Sequence, residues 1–301
     1  MLNPQAILDK PPQTSYARFQ NYYHCVMRYY HTIFFLIIIS ACSTNIKTET
    51  KELESIYKKV PELHAILDSS NVTGTIVVYD LDQNTFYSNN FEWAERGVLP
   101  ASTYKIVNSM IALETGVVEH DSTLLKWDGA KRRIPIWERD LMLRDAFHTS
   151  CVPCYQEIAR KIGTERTKEY LRKLDYGKID VDTSNIDQFW LEGNSRITPF
   201  EQLDFLSRFY TSKLPISSRT ERIMRRLMVI EDKVNYRLSG KTGWSNTNEI
   251  DNGWFVGYLE RSGQAYFFAT NIEPGKEFSM SMFADTRKAV TYEALGKLDL
   301  L

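Results

Sequence analysis

Ser102-Thr103-Tyr104-Lys105 places a hydroxyl and an amine three positions apart. A serine hydroxyl is a poor nucleophile at neutral pH and needs a base within hydrogen-bond reach. Residues three apart share one face of a helix, so the Ser102 hydroxyl and the Lys105 amine can meet there. If the helix begins at Ser102, its free N–H groups and its dipole favour negative charge that develops beside the nucleophile. The four residues predict an acylating serine with a lysine as its activating base.

A second short motif, Lys241-Thr242-Gly243-Trp244, follows the strand-forming run Tyr236–Lys241. We expect it to end an edge strand. There Lys241 and Thr242 would bind a carboxylate, and Gly243 would let an extended substrate approach the backbone. Each motif is weak alone. The two in this order, ahead of a strand-rich C-terminus, are signatures of penicillin-recognising serine enzymes.

The elements that must position these motifs follow from the hydrophobic pattern. We expect a first helix over Glu52–Leu67 that Pro61 breaks or kinks, then a hairpin of Thr75–Tyr79 and Thr85–Ser88. Further stretches have helical spacing: Tyr104–Leu113, Tyr155–Ile162, Thr167–Leu174 and Pro199–Phe209. Strand character returns in three segments: Tyr236–Lys241, Trp254–Leu259 and Ala265–Asn271. We expect a closing helix after them that Asp285 caps and that runs through Leu295.

This order of elements predicts an α+β fold. An antiparallel sheet flanked by helices would take strands from both ends of the chain, and the middle helices would form a mainly helical subdomain. A cleft between the sheet and that subdomain is the expected place for the site.

The bulk composition of the 301 residues fits a soluble globular domain, with 43% hydrophobic and 25% charged residues. The formal net charge of −1 gives no electrostatic attraction to nucleic acid, so we expect no nucleic-acid partner. The basic run Lys131-Arg132-Arg133 is interpreted as solvated surface.

The N-terminus has the pattern of an export signal. Met27-Arg28 precedes the apolar run Ile33–Ile39 and then Ser40-Ala41-Cys42. The ending resembles the lipobox of bacterial lipoproteins, in which the Cys is lipidated. We therefore expect residues 1–42 to be a targeting segment, with 1–26 as an upstream extension, 43–51 as a tether and 52–301 as the catalytic domain.

The protein would then be exported, on the periplasmic side, and would meet the membrane only through a lipid on Cys42. A plain secretory signal or an uncleaved anchor is the alternative.

Cysteine use is sparse, with four Cys in the chain. Cys25 and Cys42 fall in the targeting segment. Cys151-Val152-Pro153-Cys154 matches C-x-x-C formally, but a thioredoxin-like redox role would need a βαβ setting that the surrounding pattern does not predict. A metal site would need a second Cys/His pair, so no metal is expected.

Beyond the two motifs, the chain resembles class D (oxacillinase-type) β-lactamases from about Gly74 to Leu295. The matching segments are Pro100–Ser109, Lys126–Gly129, Ser150–Pro153, Tyr155–Glu157, Phe189–Gly193, Gly240–Trp244 and Gly253–Gly257.

The resemblance implies that Lys105 carries a carbamate formed from CO2, which acts as general base for acylation and deacylation. Trp190 would hold the carbamate through its indole N–H, and Val152 would pack over it and restrict water. Ser150 would relay a proton to the leaving lactam nitrogen. Beyond CO2 or bicarbonate, no cofactor is implied.

The resemblance also assigns the substrate cleft. The backbone N–H groups of Ser102 and Trp244 would form the oxyanion hole. Lys241 would add positive potential near the leaving nitrogen. Thr242 and Arg287 would bind the carboxylate of the antibiotic.

Simpler interpretations exist for several of these residues. Trp190 could be an ordinary core aromatic, Ser150 a helix cap, Val152 plain packing and Arg287 an exposed helix arginine. Two departures from the family also stand out. Tyr176-Gly177-Lys178 replaces the usual Tyr-Gly-Asn, which puts local loop hydrogen bonding in doubt. Cys151 and Cys154 replace aliphatic or bulky residues, and their oxidation could distort Ser150 and Val152.

The function predicted from the sequence is hydrolysis of the amide bond of β-lactams through a Ser102 acyl-enzyme. Two alternatives share the fold: a β-lactam sensor that acylates without deacylating, and a peptidoglycan D-Ala carboxypeptidase or transpeptidase. The sequence leaves the oligomeric state and the range of β-lactams open.

Overall fold

The structure, a computed structural model, describes residues 55–301. The predicted targeting segment 1–42 and tether 43–51 lie outside these residues. Within them, seven strands form one sheet in the order β1-β3-β2-β9-β8-β7-β6, and β4 and β5 form a separate pair. The strands are β1 (Ile56–Lys59), β2 (Val72–Asp80), β3 (Thr85–Ser88), β4 (Leu124–Leu125), β5 (Leu141–Met142), β6 (Val229–Asp232), β7 (Arg237–Thr247), β8 (Ile250–Arg261) and β9 (Gln264–Pro274).

Most of the helices lie between the strands β1–β3 and the strands β6–β9 in the chain. The helices of the described residues are α1 (Pro61–Ser69), α2 (Phe91–Ala94), α3 (Lys105–Glu114), α4 (Leu143–His148), α5 (Val152–Ile162), α6 (Thr164–Leu174), α7 (Pro199–Tyr210), α8 (Ser218–Leu227) and α9 (Phe283–Lys297). Three short 3-10 turns add to them: Ala101–Tyr104, Pro135–Trp137 and Met280–Met282. No helix in this part of the chain is long and apolar enough to cross a membrane.

The sheet unites the two ends of the domain, as the sequence predicts. β2 pairs antiparallel with β9, with Val77 opposite Ala269, and the predicted hairpin is present as β2 and β3. One detail differs from the prediction of an antiparallel sheet. β1 pairs parallel with β3, so the sheet is mixed. The α+β class stands.

Successive residues of β8 supply two cores, because side chains alternate across a strand. Trp254 and Val256 belong to the core shared with the middle helices. Phe255 and Leu259 belong to the core formed with α1 and α9 on the other face. The helical subdomain therefore packs directly on one face of the sheet.

The expected helix over Glu52–Leu67 is wrong at Ile56–Lys59. The chain forms β1 there, and the Ile56 and Val60 N–H groups donate to the Asn84 and Ser88 carbonyls at 3.0 and 2.9 Å. Pro61 begins α1 rather than kinking a longer helix. Proline lacks an N–H, and the first turn of a helix is where that loss costs least.

The Lys241-Thr242-Gly243 motif lies inside β7 rather than at its end. These residues pair with Val256, Phe255 and Trp254 of β8. β6 pairs only with the first three residues of β7, so it does not reach the motif. The motif therefore lies on a free edge of the sheet, as expected. The strand itself continues to Thr247, beyond its predicted end at Lys241.

Candidate active site

Ser102 and Lys105 meet as their spacing predicts. The Lys105 Nζ donates to Ser102 Oγ at 2.9 Å. The local structure differs from a plain helix start, because Ser102 lies in the 3-10 turn and α3 begins at Lys105. Ala101, just before the nucleophile, has a φ of +49°, a left-handed conformation that residues with side chains seldom adopt.

Lys105 is fully buried, with 0% of its surface exposed. Burial disfavours the ammonium and lowers the pKa of Lys105 to about 7. The ring centroid of Tyr155 lies 5.1 Å from Nζ. Near neutral pH a large fraction of Lys105 is therefore a neutral amine that can accept a proton or react with an electrophile.

Contacts from β8 and α7, and one bond within the segment, fix the segment that carries Ser102. The Trp254 indole donates to the Leu99 carbonyl at 2.9 Å. The Thr103 hydroxyl donates to the Pro100 carbonyl at 2.6 Å and accepts from Gln202 Nε2 at 2.9 Å. Sequence reasoning missed the roles of Thr103 and Gln202, because residues 99 positions apart carry no local signal of their contact.

Gly243 lets β7 approach the nucleophile turn. A Cβ at this position would lie 3.2 Å from the Pro100 carbonyl oxygen, Thr103 Cγ2 and Trp254 Cβ. The side of Gly243 where a Cβ would stand therefore faces protein. Its predicted role in admitting the substrate stays a prediction, and the structure adds a packing reason for glycine.

Ser150 and Lys241 form a second polar pair. Lys241 Nζ donates to Ser150 Oγ at 2.5 Å and to the Thr242 carbonyl at 2.9 Å. Burial, followed by the charges of Lys105 and Arg287, holds the pKa of Lys241 well below its usual range. Lys241 thus gives up a proton more readily than an ordinary lysine, next to a hydroxyl.

These pairs lie at a cleft of about 490 Å³ between the sheet and the helices. The predicted site residues that line it are Ser102, Ser150, Val152, Thr242, Gly243, Trp244 and Arg287. The sequence did not predict that Arg133, Ile134 and Trp137 also line it. Arg133 is exposed, as the interpretation of the basic run as solvated surface requires, and it stands at the cleft.

Arg287 reaches the cleft from α9 and is 9% exposed. Its guanidinium donates to the Gly243 carbonyl and, through Nε, to the Ala284 carbonyl at 3.0 Å. A Cβ on Gly253 would lie 3.1 Å from Arg287 Cγ, so the glycine in β8 makes room for the arginine. Burial lowers the pKa of Arg287 to about 10, and the side chain stays charged at neutral pH.

Trp190 is completely buried, with its ring 5.5 Å from that of Tyr104 and 5.0 Å from that of Phe189. Its indole N–H has no hydrogen-bond partner among residues 55–301. A buried donor without an acceptor costs free energy, and native structures rarely keep one without a reason. Packing alone explains the ring and does not explain the N–H.

Comparisons with known proteins place this geometry in a family. The profile of the penicillin-binding protein transpeptidase domain matches residues 69–295. The β-lactamase OXA-48 of Klebsiella pneumoniae is 40% identical over 222 residues, which cover 74% of this chain and 82% of that protein. The chain belongs to the class D serine β-lactamases.

Solved structures agree with this assignment. The class D β-lactamase YbXI from Nostoc is 42% identical with a TM-score of 0.76, over 79% of this chain and 99% of that one. A class D β-lactamase from Sebaldella termitidis is 36% identical with a TM-score of 0.78, over 82% of this chain and 99% of that one.

Lys178 stands where class D β-lactamases usually have Asn, and backbone bonds support the loop. The Lys178 and Arg196 N–H groups each donate to the other's carbonyl at 2.8 Å. Gly177 supplies a φ of +57° just before this bridge. The backbone of this class D enzyme thus supplies two hydrogen bonds that hold the loop at Lys178.

The two cysteines of this class D β-lactamase are joined. Cys151 and Cys154 form a disulfide with their Cα atoms 5.4 Å apart. With this bond formed, the Ser150 hydroxyl still accepts the Lys241 hydrogen bond.

Proposed function

We propose that this class D enzyme hydrolyses the amide bond of β-lactam antibiotics through an acyl-enzyme on Ser102, with carbamylated Lys105 as general base. The observation that carries the proposal is the 2.9 Å contact between Ser102 Oγ and a fully buried Lys105 at the cleft. A serine needs a base at this distance, and burial provides one in place of an ordinary cationic lysine.

The residues around Lys105 fit a carbamate. Carbamylation needs a neutral amine, which the lowered pKa of Lys105 supplies. The carbamate is an anion, and the unpartnered indole N–H of Trp190 is a buried donor for such an acceptor. When bound, the group supplies carboxylate-type base catalysis to both half-reactions. Val152, on the cleft wall, would limit the access of water.

In acylation, Ser102 Oγ gives its proton to the base at Lys105 and attacks the lactam carbonyl carbon. The C–N bond breaks as the Ser150 hydroxyl donates a proton to the departing nitrogen, and Lys241 returns one to Ser150 across their 2.5 Å contact. Exchange with solvent then removes the Ser102 proton from the base and restores the one that Lys241 spends. The backbone N–H groups of Ser102 and Trp244 would stabilise the negative oxygen. A water molecule then hydrolyses the ester and restores Ser102.

Substrate orientation falls to Thr242 and Arg287, which line the same cleft. Arg287 uses only part of its fork of five N–H donors on the Gly243 and Ala284 carbonyls. The remaining donors would bind the carboxylate that penicillins carry beside the lactam ring, in bidentate fashion.

We also propose that the enzyme works outside the cytoplasm, on the periplasmic side, held to the membrane by a lipid on Cys42. The apolar run Ile33–Ile39 and the small residues before Cys42 support this.

The test is steady-state hydrolysis of a chromogenic cephalosporin by the purified protein and by the Ser102→Ala variant. We expect turnover by the first and none by the second. A stable adduct on Ser102 in mass spectra, without turnover, would mean a β-lactam sensor instead. Release of D-alanine from a peptidoglycan pentapeptide, without β-lactam hydrolysis, would mean a carboxypeptidase or transpeptidase.

A further inference from the structure

The segment Ser150–Cys154 lies between two cavities. Ser150 and Val152 line the catalytic cleft, whereas Cys151, Pro153 and Cys154 line a second cavity of about 270 Å³. Trp137 lines both, and its indole donates to the Thr149 carbonyl at 3.0 Å. The proposed mechanism uses only the side of this segment that faces the cleft.

Ser150 has a demanding backbone conformation. Its φ is +52°, in the left-handed region that residues with side chains adopt at a cost. On the N-terminal side, the Ser150 N–H donates to the Phe147 carbonyl at 3.2 Å and the Cys151 N–H to the Ala146 carbonyl at 2.8 Å. These bonds close the turn that brings the Ser150 hydroxyl to Lys241 Nζ.

On the C-terminal side, a covalent ring holds the turn. The disulfide joins Cys151, the neighbour of Ser150, to Cys154 in the first turn of α5. Their Cα separation of 5.4 Å lies within the usual range for a disulfide. The Cys154 N–H also donates to Cys151 Sγ at 3.3 Å, so the sulfur caps the helix as well. Pro153, between them, has no N–H to contribute.

We propose that the Cys151–Cys154 disulfide is a positioning pair for Ser150, and that opening it slows turnover without weakening substrate binding. The inference rests on the proposed role of Ser150 as proton donor to the leaving nitrogen. With the ring open, the backbone after Ser150 is free to leave the left-handed turn, and the hydroxyl loses its place beside Lys241. Thr242 and Arg287 belong to β7 and α9 and keep their positions.

A thiol reaches the bond without entering the cleft. Cys151 is buried, but Cys154 is half-buried and borders the second cavity. A dithiol attacks a sulfur of the disulfide, forms a mixed disulfide and then closes its own ring. The dithiol loses two electrons and two protons, and Cys151 and Cys154 each end as a thiol.

The experiment measures kcat and KM for a chromogenic cephalosporin before and after treatment with a dithiol, in a protein carrying Cys25→Ser and Cys42→Ser. Only the Cys151–Cys154 pair can then respond. We expect kcat to fall about tenfold, because small displacements of a proton donor are costly. KM should stay within about twofold, and reoxidation should restore kcat. The Cys151→Ala/Cys154→Ala variant should match the reduced enzyme and ignore the dithiol.

The same treatment of a Ser150→Ala variant shows whether the bond acts through Ser150. If it does, reduction adds no further loss, because two changes in one contact are not additive. An equal fractional loss in both backgrounds would overturn the proposal, and so would equal kcat in the oxidised and reduced enzymes. Absence of turnover in both states would instead contradict the proposed function.

Discussion

At the scale of single residues, the role proposed for Lys105 depends on the burial of its side chain away from solvent. Its spacing from Ser102 is visible in the sequence, and the structure confirms their contact at 2.9 Å. Its complete burial was not visible, because it depends on distant parts of the chain such as Tyr155, whose ring lies 5.1 Å from Nζ. Burial lowers the pKa of the Lys105 amine to about 7, and this makes it able to act as a base toward Ser102.

That pKa gives a pH dependence with a definite sign. The amine is neutral above pH 7 and protonated below it, so carbamylation is lost as the pH falls. Without added bicarbonate, we expect kcat/KM to drop through pH 7 and to approach a slope of about tenfold per unit below it. The profile is measured from pH 5 to 9. Added bicarbonate should move the falling limb to lower pH, and a profile that ignores bicarbonate would contradict carbamylation.

Trp190→Phe separates the indole N–H from the ring. The aromatic packing on Tyr104 and Phe189 is largely kept, while the donor is lost. We expect kcat at ambient CO2 to fall roughly 10- to 100-fold, the worth of a hydrogen bond to a charged group, with partial recovery at high bicarbonate. Unchanged kcat at low bicarbonate would mean that Trp190 contributes only packing to the core. Phe189→Leu is the matched control, since it alters the packing of the same ring and removes no donor.

Arg287→Ala tests the carboxylate site. The cleft would lose a cation that stays charged at neutral pH, as the pKa of Arg287 of about 10 requires. We expect KM for penicillins to rise about tenfold or more, with a smaller change in kcat. The comparison substrate is an ester of the same penicillin, whose KM should hardly respond. Equal effects on acid and ester would exclude a carboxylate contact.

At the scale of elements, the site is formed where β7 meets the 3-10 turn of Ser102. The alternation of the strands and their order in the chain were predictable, and the hairpin of β2 and β3 lies where the pattern placed it. The 3-10 turn, the strand β1 and the length of β7 were not. Each is decided by partners far along the chain, such as Ser88 for β1 and β8 for the C-terminal half of β7.

Gly243→Ala tests the contact between those two elements. The new Cβ would meet Pro100, Thr103 and Trp254 at 3.2 Å, so β7 must move away from the nucleophile turn. We expect the free energy of unfolding to fall by about 1–3 kcal/mol and kcat/KM to fall with it.

The matched control for that substitution is Gly296→Ala in α9, where a Cβ meets nothing within 4 Å. In a helix it should leave activity unchanged and raise stability by up to about 0.5–1 kcal/mol. Denaturant unfolding and steady-state kinetics measure both variants. A neutral Gly243→Ala would show that the turn tolerates a displaced β7.

At the scale of the whole molecule, the two terminal groups of strands form one sheet, and the middle helices pack on one face of it. This brings Ser102, Ser150 and Lys241, which are far apart in the chain, to one cleft. The order of the Ser102–Lys105 and Lys241–Gly243 motifs predicted this arrangement, because it resembles the order in penicillin-recognising serine enzymes. The sequence left open whether Cys151 and Cys154 are joined, and it did not indicate that Arg133 lines the cleft, because neither feature is part of the family pattern.

The whole-molecule prediction concerns where the enzyme is held. In a Gram-negative host, the activity of the full chain should sediment with membranes, and the Cys42→Ser variant should release it into the soluble periplasmic fraction. The lipid is expected on Cys42 because small residues precede it and an apolar run precedes those. A wild-type enzyme found wholly soluble outside the cytoplasm would favour a plain secretory signal.

Carbamylation of Lys105 is tested by a bicarbonate titration of cephalosporin hydrolysis by the purified enzyme, first stripped of CO2 at pH 6. We expect little turnover in the stripped enzyme, a saturable return as bicarbonate is added, and no return in the Lys105→Ala variant. Full turnover in the stripped enzyme, or full activity in Lys105→Ala, would contradict carbamylated Lys105 as the base.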